Sequence, residues 1–238
     1  MSKQTRHLSF SVRHRQGALA LDAAFCLNQP WTVLFGPSGS GKTTILRAIA
    51  GFIRPTEGRI ELQSTVLFDS TTRAFLPAHC RNVRLAPQVP MLFPNMSVRR
   101  NIAFGVPAAS PEIASEALQR FRLESLAEAM PWQLSGGERQ RVAVARAAAS
   151  AIACDNSLLL LDEPFAGLHL PLRDQLLDDL RSWLSSSRTP VLSVTHDVGE
   201  AFQLGAEVIK LSDGKVTHQG PVETTLASER DHLIARLR

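Results

Sequence analysis

The sequence predicts an α/β fold with a mainly parallel sheet, an N-terminal antiparallel β subdomain and an inserted α-helical subdomain. A short apolar segment runs directly into a glycine-rich loop at residue 36, strand patterns alternate with helical patterns, and five prolines punctuate residues 90–132. Strands that alternate with helices favour a parallel sheet covered on both faces. The 238 residues are 44% hydrophobic and 20% charged. They are predicted to form a single domain, 1–238, with the helical subdomain inserted at about 90–150.

The local patterns place the elements in order. A helical pattern over 43–53 closes at Gly51. Ser110 and Pro111 open a further helix, with serine as the cap and proline at the first helical position. An alanine-rich helix is predicted over 135–151. Short apolar runs predict strands at 31–35, 59–62, 65–68, 83–86, 158–161 and 190–194, the second and third of them antiparallel.

The glycine-rich loop carries a phosphate-binding motif. Residues 36–43 read GPSGSGKT, which fits G-x-x-x-x-G-K-[ST] between a strand and a helix. Glycines let backbone N–H groups turn towards phosphate oxygens, and the start of the helix adds its positive end. Lys42 is placed to reach the β- and γ-phosphates, and the Thr43 hydroxyl to bind Mg²⁺. We expect a P-loop NTPase (RecA-like) core that binds a nucleoside triphosphate through Gly36, Pro37, Ser38, Gly39, Ser40, Gly41, Lys42, Thr43 and Thr44.

An acidic pair, Asp162 and Glu163, follows the apolar strand 158–161. Ligands of parallel sheets gather at the carboxyl ends of the strands. Asp162 is therefore a candidate Mg²⁺ ligand, directly or through water, and Glu163 a candidate catalytic group that orients or deprotonates the attacking water. The three cysteines and seven histidines show no metal-ligand spacing.

Between these motifs, residues 134–141 read LSGGERQR. Ser135, Gly136 and Gly137 open a helix, whose free N–H groups favour a phosphate. With the phosphate loop upstream and the acidic pair downstream, this octet resembles the signature of the ATP-binding cassette (ABC) family. The resemblance implies that these residues contact the γ-phosphate of ATP held by an opposite subunit. Two ATP molecules are then sandwiched between two subunits.

The same resemblance assigns further roles. Gln88 corresponds to a glutamine that touches Mg²⁺ and the attacking water and relays movement of the helical subdomain. His196 corresponds to a switch histidine that reaches the γ-phosphate and Glu163. The apolar loop 91–98 corresponds to a surface that receives a short helix from a membrane partner, although simple core filling is the alternative.

Two positions depart from the family pattern. Residues 166–169 read AGLH, so His169 stands where such cassettes usually have an aspartate at the subunit interface. The chain also contains no tyrosine, the residue on which relatives commonly stack the adenine ring. Arg13, His14 or Arg15 is a candidate for that role, and the sequence does not choose between them.

The resemblance implies the ATPase subunit of a membrane transporter. It acts with a second ABC ATPase subunit, expected as a homodimer, and with transmembrane permease subunits, at the cytoplasmic face of the inner membrane as a peripheral protein. A separate permease is required because no apolar run in the chain approaches the ~20 residues that cross a bilayer. A solute-binding protein is expected for an importer, and no nucleic acid is expected as a partner.

Within the family, the start of the chain and FGPSGSGKT are most similar to ATPases that import molybdate and related oxyanions. The alternative is a soluble ABC ATPase acting on nucleic acid or ribosomes. Such proteins carry long coiled-coil insertions or two cassettes, and this sequence shows neither. An inactive regulatory module, suggested by His169, is a third possibility, although every hydrolytic residue is in place.

Overall fold

A computed structural model describes residues 7–17 and 19–236. Its strands are β1 (Leu8–Gln16), β2 (Leu19–Leu27), β3 (Trp31–Phe35), β4 (Glu57–Leu62), β5 (Thr65–Asp69), β6 (Ala74–Phe75), β7 (Val83–Ala86), β8 (Leu158–Asp162), β9 (Val191–Thr195), β10 (Glu207–Ser212) and β11 (Lys215–Pro221). Its α-helices are α1 (Lys42–Ala50), α2 (Val98–Ala103), α3 (Pro111–Arg120), α4 (Gly136–Ile152), α5 (Leu170–Ser187), α6 (Val198–Leu204), α7 (Val222–Thr225) and α8 (Ala227–Arg236). Among the described residues, no helix is both long and apolar enough to span a bilayer.

The chain divides into two compact units, 1–81 with 192–238, and 82–191. In the first unit the strands lie in the order β6-β5-β4-β1-β2-β11-β10-β3-β9. The pairs β1–β2, β1–β4 and β4–β5 are antiparallel, which confirms the predicted N-terminal β subdomain. β3, which feeds the phosphate loop, pairs in parallel with β10. Because β10 and β11 form an antiparallel hairpin, the sheet is mixed around this parallel core.

Apolar faces explain the core of the first unit. Alternate residues of β2 are buried, as expected for a strand with one face covered. Phe10 and Phe25 lie opposite each other in β1 and β2, and their rings stack with centroids 4.8 Å apart. α1 buries its apolar residues and ends at Gly51, which adopts φ 86° and donates its N–H to Ala48 O. The helix predicted to close at Gly51 is therefore confirmed.

The second unit contains β7, β8 and α2–α5. β7 and β8 are parallel, in register from Val83 opposite Leu158 to Ala86 opposite Leu161. All five residues of β8 are buried. α4 begins and ends within a residue of its predicted bounds. These elements agree with the predicted α/β fold; the single-domain division at 1–238 stays a prediction.

Two local predictions need correction. α3 begins at Pro111 as expected, but Ser110 makes no capping hydrogen bond with its side chain. Its backbone, at φ −132° and ψ 52°, lies outside the extended conformation of a capping residue. β9 starts at Val191 rather than at Pro190. Proline has no N–H to give to a strand, and the Pro190 carbonyl only accepts a bond from Leu159 N.

One buried cation fastens the end of α1. The Arg81 side chain is 2% exposed and donates to the carbonyl oxygens of Ala48 (2.8 Å), Ile49 (2.7 Å), Leu67 (3.1 Å) and Leu76 (2.7 Å). The first two are carbonyls in the last turn of α1, where a positive charge is favourable. Burial lowers the pKa of Arg81 to about 10, so it remains charged near neutral pH.

We expect Arg81→Met to lower the free energy of unfolding by at least about 2 kcal/mol, because several buried carbonyls lose their donor. Chemical denaturation of the full chain measures this. The matched control is Arg54→Met, in which an exposed arginine that also lies over the Phe75 ring is removed. The control should change stability by less than about 0.5 kcal/mol. Equal effects of the two substitutions would contradict the role given to Arg81.

Candidate functional site

Two positions of the phosphate loop require glycine in this structure. A Cβ atom added at Gly36 would lie 2.2 Å from Leu211 O, so only glycine fits there. Gly41 adopts φ 105°, a left-handed conformation that glycine adopts without strain. α1 starts at the next residue and has no acidic side chain in its first turn. The loop is therefore followed directly by a helix N-terminus that favours an anion.

Two polar side chains of this loop are buried in a way that suits a phosphate. Lys42 is 7% exposed, and its Nζ donates to the carbonyls of Gly36 and Pro37, both at 2.8 Å. The ammonium group is thus folded back over the loop. Ser40 is 3% exposed, and its Oγ has no hydrogen-bond partner among the described residues. A buried hydroxyl without a partner is costly, and a phosphate oxygen would satisfy it.

His196 follows the buried strand β9 and is itself exposed. Its two neighbours are fixed: Thr195 Oγ1 donates to Glu200 Oε2 (2.9 Å) and accepts from Asp197 N (3.0 Å). Asp197 in turn caps α6 by accepting from Glu200 N. The backbone on both sides of His196 is therefore rigid, while its ring remains accessible.

In the second unit, the acidic pair lies at the carboxyl end of β8, as predicted. Asp162 is 4% exposed. Glu163 adopts φ 48°, a left-handed conformation that is uncommon for a residue other than glycine. Such strain persists only where the surroundings fix it, and it clusters at functional positions. The turn directs the Glu163 side chain to Gln88, whose Nε2 donates to Glu163 Oε2 at 3.1 Å.

The sequence alone does not predict this contact between Gln88 and Glu163. The sequence assigns Glu163 to the attacking water, and the family resemblance assigns Gln88 to Mg²⁺ and the same water. The structure brings the two together because β7 and β8 are parallel neighbours, so their carboxyl ends meet at one edge.

The signature residues form a capped helix start. Ser135 Oγ accepts from Glu138 N (3.3 Å), and Glu138 Oε2 accepts from both the N–H and the hydroxyl of Ser135 (2.7 Å each). These donors from Ser135 hold the pKa of the Glu138 carboxyl below its usual value. A Cβ added at Gly136 would meet nothing within 4 Å, whereas one at Gly137 would lie 2.7 Å from Leu168 Cδ2. The helix start is thus open at Gly136 and packed against the 166–169 loop at Gly137.

His169, the departure in that loop, is exposed and is the N-cap residue of α5, with no capping hydrogen bond from its ring. An aspartate is a far better acceptor at this position than a histidine. The substitution therefore changes the start of α5 as well as the exposed surface of the loop.

The register of β1 and β2 separates the three candidates for the adenine ring. Arg13 lies opposite Asp22 and forms an ion pair with it at 3.3 Å. His14 lies opposite Leu21, and directly opposed residues of antiparallel strands share a face. Leu21 Cδ1 is 3.3 Å from a Cβ built on Gly41, so this face covers the phosphate loop. His14 is on that face, and Arg13 and Arg15 are on the other.

The predicted metal ligands are oxygen donors of the kind that Mg²⁺ prefers. Thr43 lies in the first turn of α1, and Gln88 and Asp162 follow or end the neighbouring strands β7 and β8. Mg²⁺ keeps several waters and binds through one or two carboxylates plus substrate phosphates. Among the described residues, no group of three or more His, Cys, Asp or Glu side chains is arranged to bind a metal. That the three ligands act on one ion stays a prediction.

Comparison with known proteins identifies the family. Residues 22–166 match the ABC transporter family model. The chain belongs to the ABC transporter family. It is 38% identical over 224 residues to the molybdenum import ATP-binding protein ModC of Rhizobium etli, covering 92% of this chain and 62% of that protein. It is 37% identical to ModC of Mesorhizobium japonicum, covering 90% of this chain and 58% of that protein. The chain therefore spans about three fifths of the length of these relatives.

Solved structures share this ABC fold. One is a dimeric, post-hydrolysis state of the ATP-binding cassette MJ0796 with ADP and Pi, with a TM-score of 0.75, 24% identity, and coverage of 90% of this chain and 98% of that one. Another is cbiO1 of Clostridium perfringens, part of the ABC transporter complex cbiONQ, with a TM-score of 0.75, 23% identity, and coverage of 98% and 96%. At these identities the likeness shows the fold, and it confirms the predicted class.

Proposed function

We propose that the chain is the ATP-hydrolysing subunit of an ABC importer and acts as a pair of cassettes. The observation that carries this is a phosphate loop with a buried lysine and an orphan serine hydroxyl, in a chain that also holds the Gln88–Glu163 pair. Membership of the ABC transporter family, and relatives named for molybdenum import, support it.

The proposed roles of the site residues follow from their surroundings. The phosphate loop binds the phosphates of ATP, with Lys42 exchanging its loop carbonyls for phosphate oxygens. Thr43, Gln88 and Asp162 would hold Mg²⁺, which when bound would neutralise charge on the phosphates. Glu163, oriented by Gln88, takes the proton of the attacking water. His196 senses the γ-phosphate. Ser135, Gly136 and Gly137 bind the γ-phosphate of ATP held by the partner cassette.

The proposed partners are a second copy of this subunit, transmembrane permease subunits and a solute-binding protein. The protein then sits on the cytoplasmic face of the cell membrane, bound through its permease. The proposed substrate is molybdate or a related oxyanion, because the relatives above are named as molybdenum import ATP-binding proteins. Those relatives do not favour the alternative of a soluble ATPase acting on nucleic acid or ribosomes.

The test is to isolate the tagged chain from its native membranes in mild detergent and identify the proteins bound to it. We expect a polytopic permease. The complex is then reconstituted with its solute-binding protein in liposomes, and ATP hydrolysis is measured with molybdate, sulfate or phosphate. Stimulation by molybdate supports the substrate, and the Glu163→Gln complex corrects for contaminating ATPases. A ribosomal or nucleic-acid partner, with the chain missing from membranes, would overturn the importer proposal.

A further inference from the structure

The segment that follows Gln88 is not held in place by burial of Val89 or Met91. Val89 and Met91 are 74% and 72% exposed. On the other side of Gln88, only Pro87 separates it from the end of β7. The direction of the Gln88 side chain towards Glu163 therefore depends on what holds the chain after residue 88.

Asn101 of α2 holds the far part of this segment. It is fully buried, and its amide nitrogen donates to the carbonyls of Phe93 (3.1 Å), Met96 (2.9 Å) and Ser97 (3.2 Å). Its carbonyl oxygen accepts from Phe93 N (2.9 Å). One asparagine thus ties residues 93–97 into a single rigid turn.

Arg146 connects this turn to α4. Its Nη2 donates to Met91 O, and its Nη1 approaches Asn101 Oδ1 at 3.4 Å. Its guanidinium carbon lies 5.1 Å from the centroid of the Phe93 ring, within the range of a cation–π contact. Burial lowers the pKa of Arg146 because the guanidinium group loses hydration. The Phe93 ring and the Met91 carbonyl partly replace that hydration. Met91 is only three residues from Gln88, a span of at most about 10 Å.

We propose that Arg146 is a positioning residue for hydrolysis: it clamps residues 91–93 onto the signature helix α4 and thereby holds Gln88 against Glu163. In this proposal Arg146 acts through Gln88, without contact of its own to ATP or the attacking water. The proposal rests on the proposed function of Gln88 and Glu163. Through Arg146, helix α4, which starts at the signature, is in direct contact with the segment that follows Gln88.

A double-mutant cycle on the full chain tests this. Arg146→Met is expected to lower kcat about tenfold or more, since small misplacements of catalytic groups are costly. The KM for ATP should change by less than about twofold, because binding at the phosphate loop is untouched. In a Gln88→Ala background, the same substitution should change kcat by less than about twofold, because the group it positions is gone. Independent effects that multiply would overturn the proposal.

Arg141→Met is the matched control. Arg141 is also a half-buried arginine of α4, but it donates to the carbonyls of Phe121 (2.9 Å) and Arg122 (3.0 Å), away from Gln88. The factor by which Arg141→Met changes kcat should be the same in the unmodified chain and in the Gln88→Ala variant. Arg146→Lys, which keeps a charge and a donor, should recover part of kcat, and it replaces Arg146→Met if the methionine variant does not fold.

Hydrogen exchange separates this inference from the proposed function. Arg146→Met should accelerate exchange of the amides in 91–96, Phe93 N included, while β8 stays protected. Unchanged exchange in 91–96 overturns the clamp whatever the ATPase result. A wild-type chain that hydrolyses no ATP, yet shows faster exchange in the variant, would instead contradict the proposed function and leave the clamp as a structural contact.

Discussion

Replacing Glu163 with glutamine is expected to reduce kcat for ATP hydrolysis by a factor of about 10²–10⁴, the usual contribution of a general base. The amide has nearly the same size but cannot accept the proton of the attacking water. Gln88 Nε2 now donates to Glu163 Oε2, and the glutamine carbonyl can still accept that bond. The left-handed turn at residue 163 is also retained, so the loss should be chemical rather than structural.

The same variant should accumulate an ATP-bound dimer, because hydrolysis is the step that reopens the proposed sandwich. Sedimentation velocity with and without Mg-ATP measures this. Glu128→Gln is the control, since Glu128 is an exposed carboxylate of the same unit that forms an ion pair with the exposed Arg99. Its kcat should match that of the unmodified chain. A Glu163→Gln variant with normal turnover would show that another group activates the water.

The motifs could be predicted from sequence because each is contiguous. The phosphate loop, the strand before Asp162 and the signature helix each carry their geometry in a few neighbouring residues. Ser110 shows the limit of this local reasoning: the residue types are right for a cap, but its backbone is not in the capping conformation. Propensity at one position does not fix the angle at which the chain enters a helix.

Contacts between distant residues could not be predicted in the same way. Gln88 meets Glu163 only because two strands 75 residues apart are parallel neighbours. β11 pairs with β2 through Lys215 and Asp22, and nothing in either segment specifies the other. Arg81 and Arg146 look like surface residues in the sequence, yet burial lowers the pKa of both. Isolated arginines carry no sequence pattern that distinguishes these positions from solvated ones.

Replacing Lys42 with alanine is expected to weaken Mg-ATP binding about 30-fold or more, since loss of one partner of a buried, charged hydrogen bond costs about 2–5 kcal/mol. The lysine ammonium is already desolvated in the loop, where it donates to the carbonyls of Gly36 and Pro37. Phosphate oxygens are stronger acceptors than these carbonyls, so the ammonium is ready for an anion. Isothermal titration calorimetry measures the change, and Lys215→Ala, at an exposed lysine of the same unit, should bind normally.

Measurements of stability provide a second test of the Lys42→Ala substitution, because its effect should depend on whether ATP is present. Without nucleotide, Lys42→Ala removes a buried charge but also takes a donor from the carbonyls of Gly36 and Pro37, so we expect these opposing effects to leave the free energy of unfolding little changed. With nucleotide, the unmodified chain gains about RT ln(1 + [ATP]/Kd), and the variant loses most of that gain. Thermal unfolding with and without Mg-ATP should therefore show similar midpoints without ATP and a large difference with it. A variant that is already unstable without ATP would mean that Lys42 shapes the loop, and unchanged ATP binding would contradict its role in holding phosphate.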